Sequence, residues 1–512
     1  MKPGKLLNIV ILLSLLLVTG CAGAVQAGDR GTAPTVTSDP RNTSTPTPFQ
    51  PEINTPTATP LPTLTPTPTS TNTPIPPTRM PATSGERASY VLLADLDYAA
   101  HHLSVEEGIH YPNQTGTRLD SLVLAVEPNR WEGVFDLIKI KVDGVETTRY
   151  SLQSGRLDLP LDKPLEAGQA TRIEISYDLT LPWSGSAQIF GFNNWQANLV
   201  DWFPFVVPWS PSEGWLLHVP ADVGEHLVYD SVDFDVTLRQ TDPSLNLVVA
   251  ASASAETVNG NLHYRLEAAR TFVFSASPEF QSVSDNKNGI TITSFYAAGH
   301  EKAGQAALNA IQQAVQIYGE VYAPYPHASL NIVEAFYPDG MEYDGLVFLS
   351  RSFYDAYDGS LLNNLVMIGV HETAHQWFFG LVGNDQALEP WLDETLCTYS
   401  EEIFYEHASP GLVGYWWDFR VNDFQPAGKV DITIYQGGLF RPYTNAVYLR
   451  GAKMIANLRT RMGDEAFLAF LMDYTAQLSH QRSTAGDFFR ILYSHTTADI
   501  SDIIATYFQN SH

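Results

Sequence analysis

The sequence predicts a multidomain protein in which a β-sheet domain precedes a mainly α-helical α+β domain. Three observations support this division. Residues 1–21 and 22–86 have the compositions of a targeting segment and of a threonine- and proline-rich linker, so neither is expected to form a core. Residues 87–290 contain short alternating apolar runs separated by turn-forming residues. Residues 291–512 contain longer segments with helical periodicity.

The first 21 residues have the pattern of a signal segment. Lys2 and Lys5 precede an apolar stretch, residues 6–18, that is too short for a comfortable membrane span. The stretch leads into Val-Thr-Gly-Cys, which resembles a bacterial lipobox, so we expect cleavage before Cys21 and lipid on that cysteine. An ordinary secretory signal with a chance cysteine is the alternative. Lipid on one residue would anchor the protein at a membrane surface of the cell envelope, outside the cytoplasm.

Residues 22–86 form the predicted linker, which holds too few apolar residues to offset the entropy cost of ordering. We expect a disordered, semi-extended stalk that keeps the folded part clear of the envelope. The 56 acidic and 29 basic residues of the chain give a formal net charge of −27. This charge disfavours binding to nucleic acid and to anionic membrane surfaces. If Cys21 carries lipid, the second cysteine has no partner for a disulfide within the chain.

The two folded domains are predicted from periodicity. The short runs of residues 87–290 predict antiparallel sheets in a sandwich or saddle arrangement. We interpret Trp195 and Trp202 in this region as packing aromatics. The second domain is expected to begin near Thr291, with a helix over about residues 302–322, a strand that follows it, and further helices towards the carboxyl end.

The densest chemical signal lies in residues 361–402. His371 and His375 stand four residues apart, so on a helix they project from one face towards one point. Both imidazoles can then bind a single Zn²⁺ ion at about 2.0–2.1 Å. Glu372 lies between them, where its carboxylate can reach a metal-bound water without being a ligand. This His-Glu-x-x-His pattern predicts a zinc hydrolase with one zinc ion per chain.

We expect the two histidines to lie on a buried helix over residues 361–379. Ser360 can cap its start, the segment contains no proline, and Gly380 fits the position just past its end. Apolar residues occur on nearly all sides of this helix, which favours burial. Unpaired polar groups cost several kcal/mol when buried, and a metal ion would satisfy the histidines.

A hydrolytic zinc ion needs a third protein ligand and one open position. Glu394 follows His375 by nineteen residues and lies one turn into a second helix that begins near Pro390. Glu401 returns to about the same face seven residues later, which makes it a candidate hydrogen-bond partner for a ligand. Cys397 could be mistaken for a ligand, but we interpret it as a small buried apolar residue.

The run HETAHQWFFG followed by EPWLDE resembles the aminopeptidase N family of zinc metallopeptidases, which are gluzincins. The resemblance covers residues 87–512 and implies an N-terminal β domain followed by a thermolysin-like catalytic domain. It also implies that Glu394, within a Trp-Leu-x-Glu run, is the third zinc ligand. Larger family members continue with another β domain and a helical domain over the active site. We therefore expect a two-domain core with a more open cleft.

A second motif resembles the Gly-x-Met-Glu sequence of that family. It consists of Gly340, Met341 and Glu342, and the resemblance implies an edge strand that binds the peptide main chain. It also implies that Glu342 binds the free α-amino group, because a fixed carboxylate favours a cationic amine over a blocked one. Tyr343 and Asp344 depart from the asparagine that commonly follows in the family.

A third motif lies at residues 448–452 and resembles the Tyr-x-x-Gly-Ala sequence of the family. The resemblance implies that the hydroxyl of Tyr448 hydrogen-bonds the oxyanion that develops in the reaction; Tyr443 is the alternative. The stretch at residues 202–208 loosely resembles the family's Phe-Pro motif. Gln196 would then be a candidate contact for the amino-terminal pocket, although the spacing departs from the family pattern.

These motifs together predict a membrane-anchored extracytoplasmic zinc metallopeptidase that removes amino-terminal residues from peptides. Its expected partners are peptide substrates and, through the lipid, a membrane. Two alternatives stay open: a zinc endopeptidase, and a non-catalytic surface protein that binds peptides and has a structural zinc site. Intact Glu372 and Tyr448 argue against the second alternative, because a structural site needs neither.

Overall fold

The computed structural model describes residues 86–185 and 188–511. The predictions for the signal segment, for the linker and for Cys21 concern residues outside these ranges. Among the described helices, none combines the length and the apolar character that a membrane span requires.

The N-terminal domain is built from short strands, as the alternating runs predict. In β1, for example, Tyr90, Leu92, Ala94 and Leu96 are buried and their neighbours face outwards. Its strands are β1 (Ser89–Asp97), β2 (His102–Pro112), β3 (Leu119–Ala125), β4 (Phe135–Val142), β5 (Val145–Glu146), β6 (Ser151–Gln153), β7 (Arg156–Leu165), β8 (Ala170–Thr180), β9 (Gly191–Phe192), β10 (Ala197–Leu199), β11 (Phe205–Val206), β12 (Trp209–Ser210), β13 (Gly214–Trp215), β14 (Val232–Gln240), β15 (Val248–Ala251), β16 (Glu256–Val258), β17 (Asn261–Ala269) and β18 (Phe274–Ser277).

Three larger sheets share one apolar core in this domain. The first has the order β16-β17-β14-β1-β2-β8-β4-β5, and the others have the orders β15-β18-β10-β9 and β11-β3-β7-β6; β12 and β13 form a separate pair. All neighbouring strands in these sheets are antiparallel except β1 and β14, which run parallel. Buried residues from the three sheets, such as Leu92, Leu124 and Phe274, belong to the same cluster. The predicted sandwich-like β domain is thereby confirmed.

The second domain combines one mixed sheet with helices. Its strands are β19 (Gln281–Lys287), β20 (Ile290–Tyr296), β21 (Ser329–Ala335), β22 (Gly340–Tyr343) and β23 (Leu346–Ser350). Its helices are α1 (Glu301–Val321), α2 (Arg351–Asp355), α3 (Asn364–Ala374), α4 (Trp391–Ala408), α5 (Val413–Trp416), α6 (Ile434–Gly437), α7 (Phe440–Thr444), α8 (Gly451–Met462), α9 (Asp464–Gln477), α10 (Ala485–His495) and α11 (Ser501–Tyr507). The α+β class of this domain agrees with the prediction.

The mixed sheet, in the order β19-β20-β21-β23-β22, lies between the two apolar cores. On β21, Ile332 belongs to the core shared with the helices, whereas Val333 belongs to the core of the β domain. On β23, Val347 likewise belongs to the core shared with the helices, and Phe348 belongs to the core of the β domain. Because side chains alternate along a strand, each strand contributes to both cores. The edge strand β22 therefore lies at the junction of the domains, and β19 joins this sheet upstream of the predicted domain start.

The predicted helix over residues 361–379 is wrong at both ends. Asn363 caps the observed helix α3 by accepting a hydrogen bond from the backbone N–H of Val366 at 3.1 Å, whereas Ser360 caps a separate turn. Beyond Ala374 the backbone N–H groups of residues 380–382 bond to carbonyls five residues back, so the α-helical pattern stops before Gly380. His375 consequently occupies the position immediately after the helix.

Candidate metal centre and active site

Three side chains converge on one point between helices α3 and α4. Oε2 of Glu394 lies 3.2 Å from Nε2 of His371 and 3.6 Å from Nε2 of His375. All three residues are buried, and their donor atoms lie within 4.8 Å of one another. Tetrahedral zinc with bonds of about 2.0–2.1 Å separates its ligand atoms by roughly 3.4 Å. The donor set and its spacing therefore fit Zn²⁺, and the three predicted ligands are brought together.

Glu401 orients the ring of His371 through the ring nitrogen that does not face Glu394. Nδ1 of His371 lies 3.0 Å from Oε1 of Glu401, and this carboxylate also accepts hydrogen bonds from Arg420 at 2.9 Å and from the indole of Trp416 at 2.9 Å. Burial opposes ionisation of Glu401, but Arg420 and His371 hold its pKa below the ordinary value. An ionised carboxylate can only accept, so Nδ1 donates and Nε2 is left free to bind a metal.

His375 is oriented in a similar way by a residue that sequence reasoning did not single out. Its Nδ1 donates to the backbone carbonyl of Phe378 at 3.2 Å, and Oδ1 of Asp393 lies 3.2 Å from the same nitrogen. Cys397 is fully buried beside this ring, and burial raises the pKa of its thiol. The sulfur is therefore protonated and acts as a packing group, as expected.

Glu372 lies next to the metal site, and one of its carboxylate oxygens is unpaired among the described residues. Its Oε2 atom is buried and has no hydrogen-bond partner among the described residues. Burial raises the pKa of Glu372 well above the ordinary value; the two histidines lower it, and Glu342 and Glu394 raise it further. A buried carboxylate that accepts and releases a proton beside a metal has the properties of a general base.

Gly340 makes room for the Glu372 carboxylate. A Cβ atom at residue 340 would lie 2.2 Å from Oε1 of Glu372 and 2.6 Å from Cγ2 of Ile368. Any side chain larger than hydrogen would displace the carboxylate. Gly340 and Met341 also line the cleft in front of the metal site.

Tyr448 faces the metal site, whereas Tyr443 does not. The ring of Tyr448 stacks on His371 with centroids 5.9 Å apart and lines a cleft of about 360 Å³ that also contains the predicted ligands. Tyr448 belongs to a turn of π-helix, Asn445–Arg450, a conformation frequent at functional sites. The hydroxyl of Tyr443 is buried without a hydrogen-bond partner among the described residues, in the space beside Gly224. Of the two tyrosines, Tyr448 alone lines this cleft.

Two carboxylates lie where the cleft meets the β domain. Glu342 on the edge strand β22 forms a group with Glu372 and His375 whose acceptor atoms lie within 4.8 Å. Glu225, from a loop of the β domain, lines the same cleft. Burial raises the pKa of Glu342 to about 7, and burial together with Glu342 raises that of Glu225. This accumulation of acidic groups favours a cationic ligand in addition to the metal.

Sequence reasoning missed three of these residues. Glu225 and Arg420 lie outside the recognised motifs and reach the site through tertiary contacts, whereas Asp393 lies within the EPWLDE run but was given no role there. Gln196, a candidate for the amino-terminal pocket, does not line the cleft. Its amide is buried and donates to the side chains of Asn198 and Ser275 and to the carbonyl of Glu334.

The departure at Asp344 from the common family sequence has a structural explanation. Its carboxylate is buried and accepts hydrogen bonds from the backbone N–H groups of Arg270 and Thr271, at 2.9 and 3.0 Å, while His327 lies 3.8 Å away. Although burial opposes ionisation, His327 and Arg270 lower the pKa of Asp344. The residue after the edge strand thus ties the catalytic domain to the β domain.

Comparison with known proteins agrees with the geometry. Residues 306–507 match the model of the peptidase family M1 domain. The chain is 25% identical over 293 residues to an aminopeptidase N of Lactobacillus delbrueckii subsp. lactis. The matched region covers 51% of this chain and 33% of that protein. It is 22% identical over 271 residues to a probable aminopeptidase 1 of Saccharolobus solfataricus, with coverages of 49% and 34%. The chain thus matches about a third of the length of these relatives.

The fold has solved counterparts. The crystal structure of an M1 zinc metallopeptidase from Deinococcus radiodurans superposes with a TM-score of 0.59 at 16% identity, covering 83% of this chain and 94% of that one. The shared fold spans both domains. Together with the family model and the aminopeptidase relatives, it agrees with the resemblance that the motifs indicate: residues 306–507 match the peptidase family M1 domain, and the chain is similar to aminopeptidases in sequence and to an M1 zinc metallopeptidase in fold.

Proposed function

We propose that the protein is a zinc-dependent aminopeptidase that removes single residues from the free amino ends of peptides. The observation that carries the proposal is the proximity of Glu342, Glu372 and His375, whose acceptor atoms lie within 4.8 Å. A carboxylate that binds the α-amino group so close to the base and the metal ligands leaves room for one residue. The reacting carbonyl is then the first one of the peptide.

The chemistry divides between the metal and the side chains. Zinc held by His371, His375 and Glu394 would supply Lewis-acid polarisation of the scissile carbonyl and acidification of the attacking water. Glu372 accepts the proton of that water and passes it to the leaving amine. The hydroxyl of Tyr448 donates a hydrogen bond to the oxyanion of the tetrahedral intermediate.

The amino end of the substrate is held by the acidic groups of the edge strand and the β domain. Glu342 is buried and Glu225 is half-buried, and repulsion from Glu342 raises the pKa of Glu225, so an ammonium group relieves the interaction. An acetylated amine carries no charge to balance these carboxylates. Burying it against them would leave the acidic groups uncompensated, which favours rejection of blocked peptides.

The experiment compares a leucine-initiated tripeptide with its N-acetyl form, using the full chain with zinc. We expect leucine to be released from the free peptide alone, and activity to disappear with a chelator and return with zinc. Glu372→Gln should bind zinc but lose turnover, while Glu320→Gln, an exposed glutamate on α1, should behave as wild type. Cleavage of both peptides would identify an endopeptidase, and binding without cleavage a peptide-binding protein.

We also propose that the protein is a lipoprotein of the bacterial cell envelope, anchored outside the cytoplasm through Cys21. The support is the sequence of the first 21 residues. Metabolic labelling with a radioactive fatty acid should label the wild-type protein and not the Cys21→Ser variant. An unlabelled wild-type protein recovered in the soluble fraction would contradict the anchor and leave the peptidase proposal untouched.

A further inference from the structure

A second cavity of about 370 Å³ adjoins the metal cleft on the side of the β domain. It shares Glu225, Tyr337, Met341 and Glu342 with the cleft, so the two spaces meet at the carboxylates that receive the α-amino group. The Cα atom of the first residue is bonded to that amino nitrogen. Its side chain therefore begins at this junction, and the second cavity is the adjoining space into which it can extend.

Two pairs of aromatic residues form part of the wall of the second cavity. Trp131 packs against Phe190 with ring centroids 5.4 Å apart, and Tyr229 packs edge-on against Phe379 at 6.0 Å. All four residues line the cavity. Such walls suit a long methylene chain, and aromatic faces attract a cationic head group.

Besides Glu225 and Glu342, two further acidic residues line the same cavity, and they differ in how their charges are balanced. Glu127 is paired with Nε of Arg130 at 2.6 Å and lies 3.4 Å from Nε2 of His226. Asp201 accepts a hydrogen bond from the hydroxyl of Tyr229 at 2.6 Å and forms no ion pair with any residue of the described ranges. Burial raises the pKa of Asp201 to about 6, so the carboxylate is still mostly ionised at neutral pH. A cation would relieve this uncompensated charge.

We propose that this cavity binds the side chain of the substrate's first residue and selects arginine or lysine, with Asp201 contacting the cationic head group. The proposal rests on the aminopeptidase function above and adds the class of substrate. The stem of either side chain is apolar and fits between the aromatic pairs. An aspartate or glutamate in the first position would meet Glu127, Asp201 and Glu225 and would be repelled.

The test compares pairs of substrates of similar shape in which one member carries a cationic head group and the other does not. Amides of arginine and citrulline have nearly the same shape, and lysine is compared with norleucine in the same way. For the full chain with zinc at pH 7.5, we expect kcat/KM to favour the cationic member of each pair by about tenfold or more, the range of one charge-assisted hydrogen bond. In Asp201→Asn this ratio should fall towards one.

Asparagine is a suitable replacement because Asp201 has a left-handed backbone conformation with φ of 47°, which asparagine also adopts readily. Its amide oxygen can still accept the hydrogen bond from Tyr229. Asp222→Asn serves as the matched control, since Asp222 is exposed and does not line the cavity, and its ratio should equal that of wild type.

Three results would overturn the proposal. Equal kcat/KM for arginine and citrulline in the wild-type protein, with leucine amide hydrolysed, would refute the selectivity and leave the aminopeptidase function standing. A cationic preference that persists in Asp201→Asn would refute the role of Asp201. No hydrolysis of any amide would overturn the aminopeptidase function as well, so the two failures are distinguishable.

Discussion

Nδ1 of His371 donates a hydrogen bond to Oε1 of Glu401 at 3.0 Å, from helix α3 to helix α4. The same carboxylate is held by Arg420, which belongs to a turn of π-helix at Trp417–Val421. Arg420 thus fixes Glu401, and Glu401 fixes the ring plane and tautomer of His371. This chain of contacts directs the free nitrogen of the ligand towards the metal position before any metal arrives.

Replacing Glu401 should therefore weaken metal binding without removing a ligand. For Glu401→Gln we expect zinc affinity to fall by about 10–100-fold, the usual effect of losing such a supporting group. Competition with a fluorescent chelator measures the dissociation constant. Glu402→Gln is the matched control, because Glu402 is the next residue of the helix but bonds to the indole of Trp417. Equal zinc affinities in the two variants would contradict the role of Glu401.

The two tyrosines near the cleft give a second prediction. Tyr448→Phe should lower kcat by about 10²–10³-fold, because deleting one donor to an oxyanion costs roughly that much. KM and zinc content should change little. Tyr443→Phe should retain most of the activity, since Tyr443 does not line the cleft and its hydroxyl has no hydrogen-bond partner among the described residues. Equal losses of kcat in both variants would argue against Tyr448 as the oxyanion donor.

The parts of the site that could be predicted from sequence are those set by local spacing. His371, Glu372 and His375 keep their relationship because four residues make about one helical turn, even though His375 lies just beyond the helix end. The helix boundaries were mispredicted because Asn363 and Ser360 are both good capping residues, and composition does not show which one the fold uses.

The remaining site residues depend on how loops and domains pack. Glu225 comes from a loop of the β domain more than a hundred residues before Glu342, and Asp201 lies in a cavity formed by several separate segments. An isolated acidic residue in a loop looks the same in sequence whether it is solvated or buried. The fold class could be predicted because periodicity reports burial along each element, whereas contacts between elements leave no comparable pattern.

The close approach of Gly340 to Glu372 gives a third prediction. In Gly340→Ala the added methyl would overlap the carboxylate and displace the base by an ångström or more, so kcat should fall by about 10²-fold. Zinc content should stay at one ion per chain. Gly319→Ala on helix α1 is the control, because a Cβ there meets nothing within 4 Å and alanine favours the helix. Wild-type kcat in Gly340→Ala would show that the carboxylate tolerates displacement.

A fourth prediction concerns the joint between the domains. The buried guanidinium of Arg270 donates to four backbone carbonyl groups, those of Phe379, Gly380, Tyr229 and Gln481. Arg270→Met would leave these carbonyls without their donor and would remove the positive charge that stabilises ionised Asp344, while the backbone hydrogen bonds to Asp344 remain; a buried charge that loses its pair costs about 3–5 kcal/mol.

Urea denaturation followed by circular dichroism should show this loss as an earlier unfolding transition for Arg270→Met. Arg265→Met is the control, because the Arg265 side chain is 72% exposed and its ion pair with Asp235 contributes little. If both variants unfold at the same urea concentration as the wild-type protein, the buried hydrogen bonds of Arg270 do not limit stability.

The cationic preference itself should depend on pH. Burial raises the pKa of Asp201 from 3.8 to about 6, so the carboxylate is mostly ionised at pH 7.5 and mostly protonated at pH 5. Because ionised Asp201 attracts the substrate cation, the arginine-to-citrulline ratio of kcat/KM should be high above pH 6 and fall as pH decreases through about 6.

The ratio removes the effects of groups at the metal site, which act on both substrates, and kcat/KM reports the free enzyme. Glu127, Glu225, Glu342, His226 and Tyr229 also line the cavity, so the ratio is measured in Asp201→Asn as well. A pH-independent ratio there assigns the titration to Asp201, whereas an unchanged profile would assign it to one of those neighbours.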